Sequence, residues 1–356
     1  MPSFVNRLQV ATFRHFSQQT WQFHPKVNVI LGANGSGKTS ILEALYFLGV
    51  GRSFRSNVLQ NLIQQGESEF TLFTEVTRDT GDLVQLSLRR AKRLPPIQKL
   101  DGQVVKSTAE LARWMPLLHL CPDSFQLLTA GGKQRRRLLD WGVFYQNTRF
   151  ISIWRDFNRV LLQRNAALKQ KQPYRLLALW DQRFSELAIE IDKVRENYFA
   201  DYLPVLKAQD PDFWQGLDVE VTYVRGWSAG KPLLKVLEDN YTQDLRYGST
   251  QYGPHRADVK FKIGQLPARD ILSRGQQKRL VVLLKLAQGA CFQHHTQSRC
   301  VYLLDDIYSE LDVYRANEMT QMVQQQAAQL FLTAIDEHRV PEVLLSAKES
   351  TQIQLL

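Results

Sequence analysis

The stretch from Gly32 to Thr39, GANGSGKT, constrains this chain more than any other. It lies between the apolar run VNVIL and the helical-looking ILEALYFLG, and it fits the pattern G-x-x-x-x-G-K-[ST]. A short run that is apolar at every position is what a strand buried on both faces shows. Strand, glycine-rich turn and helix in that order place backbone N–H groups at a helix N-terminus, where they can curl around phosphate oxygens. Side chains would block that approach, which is why the pattern needs glycine. Gly32, Ala33, Asn34, Gly35, Ser36 and Gly37 are therefore expected to cradle phosphates. Lys38 is expected to set its ammonium against the β- and γ-phosphates, and Thr39 to ligate Mg²⁺. The helix is expected over Thr39 to Phe47, stopped by Gly49 and Gly51.

A phosphate loop alone does not separate kinases, GTPases and ATPases, and the second half of the chain narrows the choice. CVYLLDD reads as a buried strand that ends in Asp305 and Asp306. In that position Asp305 would hold Mg²⁺ and Asp306 would activate the attacking water. The plain alternative is a strand running into an acidic turn. Just upstream, SRGQQK opens a long helical segment. Ser273, Gly275 and Gln276 can present a hydroxyl, backbone N–H groups and a positive helix end to an anion. The alternative for Ser273 is a simple helix N-cap. The order of the motifs favours the anion-binding reading.

The rest of the chain organises around these motifs. FVNRLQVATF and TWQFH read as strands bracketing the turn RHFSQQ. FTLFTEV, LVQLSLRR and QKLDGQVV, with turns at Asp79 to Gly81 and Asp101-Gly102, read as an antiparallel β subdomain. From about residue 125 the texture becomes helical. Leu177, Trp180, Phe184, Leu187, Ile191, Val194 and Tyr198 recur at alternating steps of three and four, the seam of a coiled coil. Ile151, Trp154, Val160, Leu161 and Leu168 form a looser stripe upstream, and Pro173 separates the two, so an antiparallel helical hairpin is expected. DVEVTYV, CVYLL and AQLFLTA are later strands, expected to join VNVIL in one sheet.

Charge and composition set the class of partner. The chain of 356 residues carries a formal net charge of +10, and its hydrophobic fraction of 44% is that of a globular protein. Between Lys133 and Ala200 there are fourteen Lys and Arg against seven Asp and Glu, a net +7. Such an excess points to a polyanion, nucleic acid before membrane, or else to a solvated helical surface. The run LVVLL is broken by Lys285 well short of a membrane span, and the N-terminus has no apolar signal region. Three scattered cysteines argue against a disulfide framework or zinc site. A cytoplasmic location is expected.

The motif order, phosphate loop, insertion, S-x-G-Q-Q helix, acidic strand end and then SELD (Ser309 to Asp312), resembles that of ABC-type ATPase heads. Thr333 stands at the switch position, where transporter ATPases carry histidine. The TFRHF turn points towards the SMC-like heads that act on DNA. Within that group the chain resembles the RecF family over nearly its whole length. The resemblance rests on GANGSGKTSILEALYFLGVGRSFRS, on RRRLLDWG (Arg135 to Gly142), on GPHRAD (Gly253 to Asp258) and on LLDDIYSELDVYR (Leu303 to Arg315). Gln126 is the candidate for the Q-loop role.

The resemblance implies an α/β fold: an ABC-type, SMC-head-like P-loop ATPase lobe with an antiparallel β subdomain and an inserted helical arm. The head would be 1–125 and 203–356 and the arm 126–202. It implies ATP and Mg²⁺ as cofactors, and an ATP-dependent homodimer in which Ser273 to Gln276 close on the partner's nucleotide. It further implies DNA-dependent, slow ATP hydrolysis at gaps or junctions without sequence specificity. Recombinational repair, replication restart and SOS induction would follow, with RecR and RecO helping to load RecA. A structural tether that binds nucleotide and barely turns it over is the alternative. Arg149, Arg155, Arg159, Arg164 and Lys169 on the arm, and Arg89, Arg90, Lys92 and Arg93 in RRAKR, are the expected phosphate contacts of the DNA.

Overall fold

A computed structural model describes residues 4–78, 80–309, 313–345 and 350–355. Asp79 of the expected turn and Glu310, Leu311 and Asp312 of SELD lie outside the described residues. The chain divides into two compact units, 1–125 with 284–356, and 126–283.

The first unit begins with β1 (Phe4–Phe13), β2 (Phe16–Gln22), β3 (Val27–Leu31) and α1 (Lys38–Val50). It continues with β4 (Glu69–Thr77), β5 (Leu83–Ala91), β6 (Ile97–Leu100), β7 (Gln103–Val104), α2 (Thr108–Ala112) and β8 (Leu117–Leu120). β4 alternates buried and half-buried residues without a break, as a strand with one face on a core must. β2-β1-β4-β5-β6-β7 form a six-stranded sheet, antiparallel at every pairing. α1 runs through Gly49, and Gly51 in the left-handed conformation caps it.

The second unit holds α3 (Gly132–Gln146), α4 (Phe150–Lys169), α5 (Tyr174–Ala208), α6 (Pro211–Leu217), β9 (Val219–Val224), α7 (Leu233–Asp239) and α8 (Tyr241–Tyr247). β10 (Asp258–Ile263), β11 (Leu266–Pro267) and α9 (Ala268–Ile271) follow. α10 (Arg274–Thr296) then carries the chain from this unit back to the first. α4 and α5 pack together as the expected hairpin, with Leu177, Phe184, Leu187, Ile191 and Tyr198 of the seam buried. Trp180 and Val194 are only half-buried.

The boundary of this unit falls at 283, where the sequence placed it at 202. Ion pairs between distant residues account for the difference. Arg164 on α4 donates to Asp244 on α8 at 2.6 Å, and Arg135 on α3 to Asp258 on β10 at 2.7 Å. Arg195 on α5 donates to Asp140 at 2.8 Å and to the Pro254 carbonyl at 2.6 Å. Residues 203–283 thus pack on the helices. β9 sits in a separate three-stranded sheet, β11-β10-β9, and not with VNVIL.

The chain closes in the first unit with β12 (Val301–Asp305), α11 (Val313–Gln326), β13 (Gln329–Ala334), α12 (Glu342–Leu345) and β14 (Ser350–Gln354). β14-β3-β13-β12-β8 form a five-stranded sheet, parallel throughout. β3, β12 and β13 are buried at every position, as the apolar runs require. In register, Asp305 lies opposite Thr333 and Thr333 opposite Ile30. The acidic strand end and the phosphate loop therefore leave the same edge of the sheet, two strands apart.

Candidate nucleotide site and basic surfaces

The loop between β3 and α1 is held tight by glycine. Gly32 has φ +156°, and a β-carbon there would lie 2.6 Å from Ser36 Oγ and 2.8 Å from the Leu355 carbonyl oxygen. Gly37 has φ +107°, and a β-carbon there would overlap the rings of His15 and Phe16. Gly37 also N-caps α1, offering no side chain, and the first turn contains no acid. The positive end of α1 is thus left for a ligand. Ser36 Oγ is buried with no hydrogen-bond partner among the described residues. A buried hydroxyl without a partner costs free energy until an acceptor reaches it, and a phosphate oxygen fits that need.

Lys38 is nearly buried, and its Nζ donates to the carbonyls of Gly32 at 2.6 Å and Ala33 at 2.9 Å. Burial pulls the ammonium below its ordinary pKa, while Asp306 and Asp305 push it back up. Its immediate partners are dipoles, so much of its charge is uncompensated by contact. A polyphosphate would supply the compensation.

Asp305 ends β12. Its Oδ1 accepts from Thr39 Oγ1 and from Thr333 Oγ1, each at 3.0 Å. Burial raises the carboxyl above its usual range, and the two hydroxyls draw it back down. Thr333 Oγ1 in turn accepts from the Asp306 backbone N–H at 2.9 Å. Asp306 adopts φ +50°, a left-handed conformation that aspartate tolerates better than most residues. A hydroxyl and a carboxylate oxygen meeting beside the phosphate loop form a hard oxygen donor pair of the kind Mg²⁺ takes. The sequence-derived pairing of Thr39 with Asp305 is therefore present in three dimensions, and Thr333 is a part of it.

A second group of residues braces the loop from outside, and the sequence reading missed it. Glu43 on α1 is fully buried and receives Arg14 Nε at 2.7 Å and Nη2 at 2.6 Å. Ser53 Oγ donates to the same carboxylate, and Arg55 approaches it at 3.9 Å. Arg14 belongs to TFRHF, and Ser53 and Arg55 to GRSFRS. An acid on the apolar face of the helix was the available signal, since a buried carboxylate demands a cation.

Ser273 lies in the second unit and caps α10. Its Oγ accepts from Gln276 N–H at 3.3 Å, while Gln276 Oε1 accepts from Ser273 N–H at 2.8 Å. This reciprocal pair is a capping box. The first turn of α10 contains no acid and carries Arg274 and Lys278 beside Gly275. The cap thus engages the Ser273 hydroxyl within its own helix. Gln126 is exposed on the short helical turn Pro122–Leu127 that follows β8.

The basic residues divide. Arg149, Arg155, Arg159 and Lys169 are exposed on the arm. Arg164 is not: it is 0% exposed, donating to Asp181 and Asp244 at 2.6 Å and to Thr250 Oγ1 at 2.8 Å. Enclosed in this way, it cannot touch a duplex, contrary to its expected place on a basic helix face. In RRAKR, Arg89 pairs with Glu69 at 2.5 Å and Lys92 donates to the Glu67 carbonyl at 2.7 Å. Arg90 is half-buried, and Arg93 is exposed.

A parallel sheet with its phosphate loop and acidic strand end at one edge, plus an antiparallel β sheet and a helical insertion, defines an ABC-type ATPase head of the SMC kind. Residues 4–352 match the RecF/RecN/SMC N terminal domain. The SMC head bound to the C-winged helix domain of ScpA has the same fold, with a TM-score of 0.54 at 15% identity over 94% of this chain and 90% of that one. The DNA replication and repair protein RecF of Shewanella baltica strain OS155 is 39% identical over 332 residues, 93% of this chain and 92% of its own. That of Shewanella piezotolerans strain WP3 is 38% identical over 96% of this chain and 95% of its own. The recombination mediator protein RecF with ATP, of the RecFOR pathway, superposes with a TM-score of 0.84 at 27% identity, over 96% of this chain and 94% of that one. The chain belongs to the RecF family.

Proposed function

We propose that this chain is an ATP-dependent DNA clamp that dimerises on nucleotide and supports repair of gapped DNA together with RecO and RecR. The observation that carries the nucleotide reading is the contact of Thr39 with Asp305 beside a glycine loop in which Lys38 donates to two carbonyls and the buried Ser36 hydroxyl has no partner among the described residues. Thr39 and Asp305 would hold Mg²⁺, which would screen the charge of the terminal phosphates. Lys38 turns from the Gly32 and Ala33 carbonyls to those phosphates. Asp306, fixed through Thr333, accepts the proton of the attacking water.

Ser273, Gly275 and Gln276 complete the nucleotide site of a second copy, so turnover depends on dimerisation. The exposed Arg149, Arg155, Arg159 and Lys169, with Arg93, neutralise DNA phosphates without reading bases. Sedimentation of the full chain with and without ATP and gapped DNA tests this reading. It requires a dimer that needs ATP and a Ser273→Arg variant that binds ATP and stays monomeric. Ser273→Arg losing ATP affinity as a monomer would overturn the trans arrangement. Steady-state phosphate release on DNA separates a slow ATPase from a tether that only retains its nucleotide.

A further inference from the structure

RRRLLDWG and GPHRAD are far apart in the chain and meet in the second unit. Arg135 on α3 grips Asp258 through Nε at 2.7 Å and Nη2 at 2.9 Å. Arg195 on α5 grips Asp140 at 2.8 and 3.0 Å and donates to the Pro254 carbonyl at 2.6 Å. The GPHRAD turn is held stiffly. Gly253 adopts φ +133°, and a β-carbon there would lie 2.9 Å from the Phe184 ring. The Gly253 N–H donates to the Gly226 carbonyl at 3.2 Å, and the Arg256 N–H donates to the Gly253 carbonyl at 2.8 Å.

Arg135, Arg136, Arg195 and Arg256 share this place with Asp140 and Asp258, and each carboxylate is already held in a fork. That leaves Arg136 and Arg256. Arg136 Nη1 donates to the Ala257 carbonyl at 2.6 Å, and Arg256 Nη2 donates to Gln251 Oε1 at 2.8 Å. Both acceptors are neutral, and neither arginine has an ion pair among the described residues. Arg136 is half-buried and Arg256 is exposed. Burial and then Arg195 pull the Arg136 guanidinium below its ordinary pKa; Asp258 and Asp140 oppose them, and Arg256 adds to the depression. Lys133 on α3 and Lys260 on β10 add exposed cations on the two elements that Arg135 and Asp258 join. Two guanidinium forks bound only to neutral dipoles can still take an anion with several oxygens. Phosphate matches that planar fork.

We propose that Arg136 and Arg256 form a phosphate-binding pair where RRRLLDWG meets GPHRAD. The exposure of Arg256 favours a phosphate carried on a nucleic-acid backbone over a small enclosed ligand. In that form the inference rests on the DNA reading above, and it adds a place of contact besides the arm cations Arg155, Arg159 and Lys169.

The test is duplex binding by fluorescence anisotropy across a salt series, on the full chain with Mg²⁺-ATP. The double variant Arg136→Gln, Arg256→Gln should bind about tenfold more weakly or worse, and its log–log slope should fall by about 2, at about 0.9 per phosphate contact. ATP affinity should be unchanged, because the phosphate loop belongs to the other unit. Lys231→Gln removes a charge elsewhere in the same unit and should leave the slope alone. Arg256→Lys keeps the charge and loses the fork, so it should keep the slope and still weaken binding. Thermal melts check folding, and Arg256→Gln alone, at an exposed position, carries the test if the double variant does not fold. Inorganic phosphate titrated into the Lys38→Met background separates the two sources of phosphate. Loss of that binding with duplex binding intact keeps the pair and assigns it a free phosphate. If neither ligand responds to the double variant, the pair is overturned. A parent that binds no duplex defeats the DNA reading instead, and the phosphate titration still judges the pair.

Discussion

Two buried cations, one in each unit, show how the same charge serves two ends. Lys38 in the phosphate loop rests on two carbonyl oxygens, with Asp305 and Asp306 acting on it from further away. Arg164 in the arm meets two carboxylates and a threonine hydroxyl and is wholly enclosed. Burial costs a cation several kcal/mol unless its charge is matched nearby. Arg164 has its charge matched by two carboxylates of the chain itself and is closed off from solvent, so it holds helices together. Lys38 is matched only in part, which leaves it able to receive an anion.

The comparison breaks most sharply at Lys38. Lys38→Met should lower ATP affinity by more than about a hundredfold, since charge-assisted contacts to phosphate are among the strongest available. Its thermal midpoint should stay near that of the parent or rise, because an incompletely matched buried charge has been removed. Titration with Mg²⁺-ATP and a parallel melt read both quantities. Normal ATP binding by this variant would show that the loop is a structural turn.

Arg164→Leu should do the reverse. Removing one member of a buried ion cluster strands Asp181 and Asp244, at a cost of about 3–5 kcal/mol. Asp181 is held above the usual carboxylate range by burial, and its hydrogen bond to Arg164 draws it down. Without Arg164 the aspartate should take up a proton. Denaturant unfolding should show the loss, and the loss should shrink at pH 5, where protonated Asp181 is easier to bury. Unaltered stability would mean that the cluster contributes nothing to the fold.

The two units should also share a weakness in acid. His119 in the first unit is pushed down to about 3, by burial and then by Lys285. His255 in the second is pushed down to about 4, chiefly by burial, with Arg256, Arg136 and Arg164 adding to the depression. Both folded values lie below the unfolded value near 6.5, so the folded state resists the proton that the unfolded state accepts. The stability these groups provide is complete above that pH and is lost progressively as pH falls towards the folded values. Each histidine should cost about 2 kcal/mol between pH 6.5 and 5. His119→Phe fits beside Phe54 and Tyr46, which already pack on this ring, and should flatten that slope. An unchanged slope would assign the acid sensitivity to other groups.

These contrasts also explain which parts of the chain could be read from its sequence. The loop, its helix and the acidic strand end are local patterns, and each appears where the residues placed it. The coiled-coil stripe likewise marks a helix that exists. What escaped was set by partners far along the chain. Arg164 reads as a surface cation on a basic helix until Asp244, eighty residues later, closes over it. Glu43 reads as one acid on a helix until Arg14 reaches it across a strand turn. The second boundary of the inserted unit moved for the same reason: Arg135 and Asp258 are 123 residues apart. Periodicity reports which face of an element is apolar, and it carries no record of which distant charge will meet which.

The smallest effect tests what remains of the basic arm once Arg164 is set aside. Arg155 and Arg159 lie one helical turn apart on α4, both exposed, with Lys169 further along the same helix. If they face a duplex, each phosphate contact adds about 0.9 to the log–log slope of binding against salt. Converting all three to Gln should reduce that slope by about 2 to 3 and weaken every DNA sequence alike. ATP affinity should be untouched, because the arm and the phosphate loop belong to different units. Arg164→Lys is the informative partner variant. It keeps the charge but not the forked geometry that spans Asp181 and Asp244, so it should lower stability and leave the salt slope alone. If instead the triple variant keeps the parent slope, the arm cations are solvated surface and the DNA lies elsewhere. RRAKR then becomes the next place to look, beginning with Arg93, since Arg89 is paired with Glu69 and Lys92 with the Glu67 carbonyl.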